Sequence, residues 1–149
     1  MIKILFICHG NICRSPMAEF VMKDLVKKAG MESAFEIASA ATSTEELGNP
    51  VHRGTREKLR QVGISCAGKT ARQMNRRDYQ YYDHLICMDR YNMRNMQRIC
   101  GGDPDGKMRM LLSRDVADPW YTGNFEDTYA DVLQGCTQLL AEFIENNNK

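Results

Sequence analysis

Ile2-Lys3-Ile4-Leu5-Phe6-Ile7, running straight into Cys8-His9-Gly10-Asn11-Ile12-Cys13-Arg14-Ser15-Pro16, decides how this chain of 149 residues folds. The first run is apolar, short and rich in β-branched side chains, as expected of a buried strand. Ser15-Pro16 reads as a helix start, because serine caps and proline fits a first turn whose N–H groups have no intrahelical partner. The residues between therefore form a loop at the carboxyl end of a strand, opening onto a helix N-terminus. Such a terminus presents free N–H groups and partial positive charge, which together suit an anion.

The loop residues add chemistry to that position. A thiol at Cys8 is drawn toward thiolate, the nucleophilic form, by the helix terminus and by Arg14. Arg14 lies six positions after Cys8, and its planar fork can fold back to hold two oxygens of a tetrahedral oxyanion. The N–H groups between them can form a concave nest, and Gly10 and Asn11 tolerate the positive φ that a tight nest requires. Cysteine, cradle and arginine together describe nucleophilic capture of a phosphoryl group.

Composition sets limits. The chain suits one domain, residues 1–149, with 43% hydrophobic and 26% charged residues and a net charge of +1. That charge gives no reason to expect nucleic acid as a partner. No apolar stretch approaches the roughly 20 residues of a membrane span, and the first is too short and wrongly flanked for a signal peptide. A cytoplasmic protein is expected. Six cysteines do not imply a disulfide framework in a chain this long; Cys87 and Cys136 sit in apolar patterns as buried thiols, and Cys66 and Cys100 lie near element ends. Zinc at Cys8, His9 and Cys13 lacks a second ligand pair. Met93 and Met96 recur at helical spacing as core filler, and Arg72, Arg76 and Arg77 read as a solvated face or as a contact for acidic phosphopeptides.

Further along, the spacing of Met17, Phe20, Val21, Leu25 and Val26 predicts a helix up to Gly30. Strands are expected at 35–41, 84–88 and 108–112. Short helices are expected at 57–62 and after Asn75-Arg76-Arg77-Asp78. Another, capped by Asp89, carries Met93, Met96 and Ile99 to Gly101-Gly102, and a long last helix opens at Asn124 with Asp127; the 146–149 tail is expected to fray. Alternating strands and helices imply a four-stranded parallel sheet with helices on both faces, an α/β three-layer domain. Ligands of such sheets bind beyond the carboxyl ends of the strands, so the loops 8–15, 42–50 and 113–124 share a rim. On that rim Asp118-Pro119-Trp120-Tyr121 places a carboxylate beside two aromatics. The residues alone read equally as a turn with packed aromatics or as a general acid beside an aryl pocket.

Cys-x5-Arg-Ser directly after the first strand, in the longer form Cys8-His9-Gly10-Asn11-Ile12-Cys13-Arg14-Ser15, resembles the low-molecular-weight protein-tyrosine phosphatases over nearly the whole chain. The resemblance implies hydrolysis of phosphotyrosine on proteins through a phosphocysteine, by a monomer with no cofactor and no metal. It makes Cys8 the nucleophile, Arg14 the oxyanion clamp and Asp118 the general acid. Substrate contacts fall to His9, Gly10, Asn11, Ile12, Cys13, Ser15, Glu45, Trp120 and Tyr121, and the ligands are phosphate and related oxyanions. Asn11 resembles the residue that braces the loop, with Ser39 its partner; Ser15 can hydrogen-bond the Cys8 sulfur; Cys13 matches a second cysteine able to form a reversible disulfide with the nucleophile. Ile12 stands where related protein-arginine phosphatases carry threonine, and its apolar contact favours an aryl group. Asp89 matches the family pattern as a structural cap.

Three positions depart from the pattern. Lys69 replaces a histidine that supports the loop serine in some members, Glu45 stands where several carry an aromatic wall, and Trp120 replaces a frequent tyrosine. Two rivals share the loop. An arsenate reductase needs a relay of further cysteines that Cys87 and Cys100 do not supply. A phosphocysteine carrier would be harmed by a water-activating carboxylate at Asp118. A nucleotide-binding P-loop is ruled out because no Gly-Lys-Ser/Thr follows.

Overall fold

In a computed structural model that describes residues 1–147, β1 (Ile2–Cys8) lies between β2 (Phe35–Ala41) and β3 (His84–Cys87), and β4 (Met108–Met110) closes the order β2-β1-β3-β4. Every pairing is parallel. The central place of β1 explains its unbroken apolar character: Ile4, Leu5, Phe6 and Ile7 are all 0% exposed, because both faces of the strand are covered. Alternation divides them. Ile4 and Phe6 join Met17, Val21, Val132 and Cys136 under α1 (Arg14–Lys28) and α6 (Phe125–Asn147). Leu5 and Ile7 join Tyr79, Tyr82 and Met96 under α3 (Arg76–Tyr81) and α4 (Arg90–Cys100). Two cores on opposite faces of one sheet make the expected three layers. Among the described residues no helix is long and apolar enough to cross a membrane.

Several boundaries differ from expectation. Helix α1 begins at Arg14, and Cys13 holds the capping position without a side-chain cap; Ser15 sits inside the first turn, its hydroxyl committed elsewhere. Helix α2 spans Arg53–Gln61 rather than 57–62, because the His52 ring accepts the Gly54 N–H at 3.0 Å and starts the helix earlier. Gly54 is needed there, since a Cβ would overlap the Phe125 ring. Strand β3 stops at Cys87 and β4 at Met110, and a 3-10 turn occupies Glu32–Ala34. The loop 113–124 contains a short helix, α5 (Pro119–Thr122), capped by Asp118. Asn75 and Asp89 cap their helices as the sequence suggests, in capping boxes closed by Asp78 and Asn92, and Gly101 ends α4 in the left-handed conformation. Helix α6 runs to Asn147, into the tail expected to fray; residues 148–149 lie outside the described residues. Arg72 is not a solvated cation: both its terminal nitrogens donate to the Asp78 carboxylate, at 3.1 and 3.0 Å.

Candidate active site

The loop between β1 and α1 is held from outside by its carbonyls. Cys8 O accepts from Thr42 N, His9 O from Ser43 N, and Ile12 O from His52 N, at 3.0, 3.0 and 2.8 Å. Carbonyls drawn outward leave N–H groups for the interior, and the Asn11 N–H indeed points at Cys8 Sγ, 3.3 Å away. Asn11 alone among the described non-glycine residues has positive φ, 58°, which asparagine tolerates better than most side chains. Gly10, expected to share that conformation, does not. Its missing Cβ matters for space instead, because one there would lie 3.3 Å from Glu46 Cγ.

Behind the loop runs a buried polar chain. Arg72 N–H donates to Asn11 Oδ1 at 3.3 Å, which turns the amide nitrogen toward two serines, Ser15 Oγ at 2.8 Å and Ser39 Oγ at 2.9 Å. The Ser39 hydroxyl donates onward to Glu19 Oε1 at 2.6 Å. Ser15 Oγ therefore accepts from Asn11 and has its own hydrogen available for Cys8 Sγ, 2.9 Å away. A thiolate sulfur can only accept, so toward a thiolate the hydroxyl donates. Glu19, 3% exposed, is matched by Lys23 Nζ at 2.6 Å and Lys69 Nζ at 3.4 Å, and Lys69 also donates to Ser39 O at 2.8 Å. Burial lowers the Lys69 pKa, while the Glu19 charge acts against that fall. Asn11 and Ser15, expected among the substrate contacts, thus face away from the cavity: their side chains are spent bracing the loop.

Arg14 closes the front. Its guanidinium is buried, with Nη2 2.9 Å from Asp89 Oδ2 and 3.2 Å from Asp118 Oδ2, and Nη1 donating to Val116 O at 3.2 Å. Burial alone would lower its pKa, but the negative groups at Cys8, Asp118 and Asp89 raise it overall, so the side chain stays charged. Asp89 is the cap the sequence suggests and also one of two carboxylates aiming the arginine. Asp118 Oδ1 accepts the Trp120 N–H at 3.1 Å.

These groups open into one cavity of about 680 Å³ lined by Cys8, His9, Gly10, Ile12, Cys13, Arg14, Glu45, Asp118, Trp120 and Tyr121, large enough for an aryl phosphate. The three loops assigned to one rim do meet there. His9 Nε2 lies 2.9 Å from Glu45 Oε2, tying the loop to the 42–50 segment. Trp120 and Tyr121 are exposed; His52 stacks on Phe125 and meets Trp120 edge-on at 6.3 Å. The sequence reading missed Glu19, His52, and the cavity residues Tyr91 and Asn95. Only Glu19 carried a signal, as a lone carboxylate amid the buried Met17, Ala18, Val21 and Met22.

A model of the low molecular weight phosphotyrosine protein phosphatase family matches residues 3–149. The chain belongs to that family. It is 43% identical over 148 residues to the low molecular weight protein-tyrosine-phosphatase YfkJ of Bacillus subtilis (strain 168), covering 95% of each chain. It is 37% identical over 150 residues to a low molecular weight phosphotyrosine protein phosphatase of Gallus gallus, covering 95% of this chain and 93% of that one. The crystal structure of YfkJ superposes with a TM-score of 0.95 at 41% identity, covering 98% of this chain and 96% of that one. That of SP-PTP from Streptococcus pyogenes gives 0.90 at 40%, covering 97% and 98%. This low-molecular-weight phosphatase therefore shares both the fold and the order of its elements with solved relatives.

Its other thiols differ from Cys8 in setting. Burial first, and the charges at Cys8 and Asp118 next, push the Cys13 pKa up to about 12. Burial likewise pushes Cys87 up to about 12 and raises Cys136. Thiolate is the reactive form, so iodoacetamide at about pH 8 is expected to leave Cys13, Cys87 and Cys136 unmodified in the native protein and to label them in denaturant, read by peptide mass mapping. Native labelling of these three at the denatured rate would contradict this. The sign for stability follows: a thiol whose folded pKa is raised stabilises fully below its ordinary value of 9.0 and loses that contribution as pH climbs toward about 12.

Proposed function

We propose that this protein hydrolyses phosphotyrosine on proteins through a phosphocysteine at Cys8, without a metal. The observation that carries the reading is the convergence of Cys8, Arg14 and Asp118 on one cavity, within a chain of this family. Cys8 thiolate attacks phosphorus in line; the S–P bond forms as the bond to the phenolic oxygen breaks. Arg14 and the loop N–H groups hold the three equatorial oxygens as charge redistributes. Protonated Asp118 gives its proton to the departing oxygen. Asp118, now a carboxylate, takes a proton from water as that water attacks phosphorus, and phosphate leaves with the thiolate restored. The Ser15 hydroxyl hydrogen-bonds the sulfur as attacking and as leaving group.

Ile12, Trp120 and Tyr121 form the apolar part of the cavity and support an aryl leaving group over a guanidinium. His9, Gly10 and Cys13 complete the wall around the phosphate, and Glu45 orients His9. The reading further takes residues 1–149 as one domain, acting as a monomer in the cytoplasm. Chelator-treated protein is expected to release phosphate from a phosphotyrosyl peptide, with vanadate competing. Turnover of phosphoarginine peptides or reduction of arsenate, with the phosphotyrosyl peptide untouched, would overturn the reading.

A further inference from the structure

Acidic side chains line one flank of the cavity, and an arginine row stands on the helix of the other flank, just beyond its lining residues Asp89, Tyr91, Asn92 and Asn95. Strand order β2-β1-β3-β4 sets the loop after β2, with Glu45 and Glu46, on one flank of the Cys8 loop. The start of α4, which follows β3, stands on the other, and both segments line the cavity. On the α4 side, Arg90, Arg94 and Arg98 recur every four residues, the spacing that makes a row along a helix. The row begins at the cavity, because the Arg94 guanidinium lies 5.8 Å from the centroid of the Tyr91 ring, and Tyr91 is a cavity residue, 69% exposed. At the far end of α4, Arg76 from α3 donates through Nε to Ile99 O at 3.2 Å.

The fold engages these cations only at the surface: Arg90 Nε lies 3.7 Å from Asp115 Oδ1, Arg94 rests over the Tyr91 ring, and Arg94 and Arg98 form no ion pair among the described residues. Like charges at this spacing weaken the helix that bears them, and α4 already has a capping box, a left-handed glycine and a buried Met96 to hold it. With a net charge of +1 for the whole chain, the row is a local concentration and not part of a generally basic surface.

We propose that the α4 arginine row docks an acidic stretch of the phosphoprotein substrate while its phosphotyrosine occupies the cavity. This rests on the phosphotyrosine reading of the site. The row from Arg90 to Arg98 spans about 12 Å at ~1.5 Å per helical residue, which matches about four residues of extended peptide at ~3.3 Å each. The acidic residues therefore lie within about five positions of the phosphotyrosine, on one side of it only. On the other side they would meet Glu45 and Glu46 and be repelled.

The test compares kcat/KM for phosphotyrosyl peptides with neutral flanks, with three aspartates before the phosphotyrosine, and with three after it. One acidic peptide is expected to exceed the neutral one about five- to tenfold, through KM, with the advantage falling as salt rises. The double variant Arg94→Glu/Arg98→Glu is expected to lose that advantage while turning over p-nitrophenyl phosphate and the neutral peptide as the wild type does. Equal kcat/KM for all three peptides overturns the docking proposal, as does an advantage that survives the double variant. So does binding of the wild type to anionic phospholipid vesicles or to nucleic acid with no peptide preference. Hydrolysis of the neutral peptide reports on the phosphatase reading separately; its absence would overturn both.

Discussion

Cys8→Ser is expected to lower kcat for p-nitrophenyl phosphate by at least about 10⁴-fold, with phosphate or vanadate still bound. The reasoning is local. The serine keeps the volume and the two hydrogen-bonding neighbours, the Asn11 N–H at 3.3 Å and Ser15 Oγ at 2.9 Å, so the loop has no cause to rearrange. Cys8 is 3% exposed and packs in the core beside Phe6 and Met17, and the change costs little there. What is lost is the sulfur nucleophile. The alkoxide of serine is far less accessible near neutral pH than a thiolate. Oxyanion affinity should persist because Arg14 and the loop N–H groups are untouched. Residual turnover above one per cent of wild type, free of contaminating phosphatase, would count against the assignment.

Asp118→Asn is the second large effect. The amide oxygen preserves an acceptor for the Trp120 N–H, so the Asp118 cap on α5 and the Trp120–Tyr121 wall remain in place; the contact with Arg14 through the second oxygen is lost, and Arg14 keeps Asp89 as its carboxylate partner. The substitution removes the proton and the later base. A positioned general acid contributes about 10²–10⁴-fold, and that range is the expected drop in kcat for phosphotyrosine. The deficit should shrink for aryl phosphates whose phenols are more acidic, because a better leaving group needs less protonation. A plot of log kcat against leaving-group pKa should therefore be steeper for the variant than for the wild type. Parallel lines would leave Asp118 as a turn aspartate that caps a short helix and pairs with Arg14.

Much of this was legible locally. The strand, loop and helix over residues 2–28, the capping boxes at Asn75 and Asp89, and the rim shared by three loops all follow from neighbours in the chain. What was not legible depends on contacts from elsewhere. Ser15 reads both as a cap and as a partner of the Cys8 sulfur; the cap does not form, because the Asn11 amide claims the hydroxyl from the other side. Helix α2 reads short because His52, Arg53 and Gly54 look like a turn until Phe125 from α6 packs on the glycine and the His52 ring caps the helix. Glu19 is a lone carboxylate among apolar neighbours on α1, and its burial is explained only by Ser39, Lys23 and Lys69, which arrive from elsewhere or from the next turn. Asp89 reads as a cap, which it is; its second contact, with Arg14, needed the β1 and β3 ends side by side. Leu111 and Leu112 extend an apolar pattern and are buried, yet β4 ends at Met110 and only the Leu111 N–H still reaches β3, at Cys87 O.

The account rests on sulfur at position 8 accepting the phosphoryl group. The most direct measurement is rapid acid quench of the Asp118→Asn protein during turnover of p-nitrophenyl phosphate, followed by peptide mass analysis. A phosphoryl adduct is expected on the peptide carrying Cys8, formed in step with a burst of p-nitrophenol and absent from Cys8→Ser. A burst with the adduct on another residue, or steady hydrolysis with Cys8 unmodified at every time point, would contradict it.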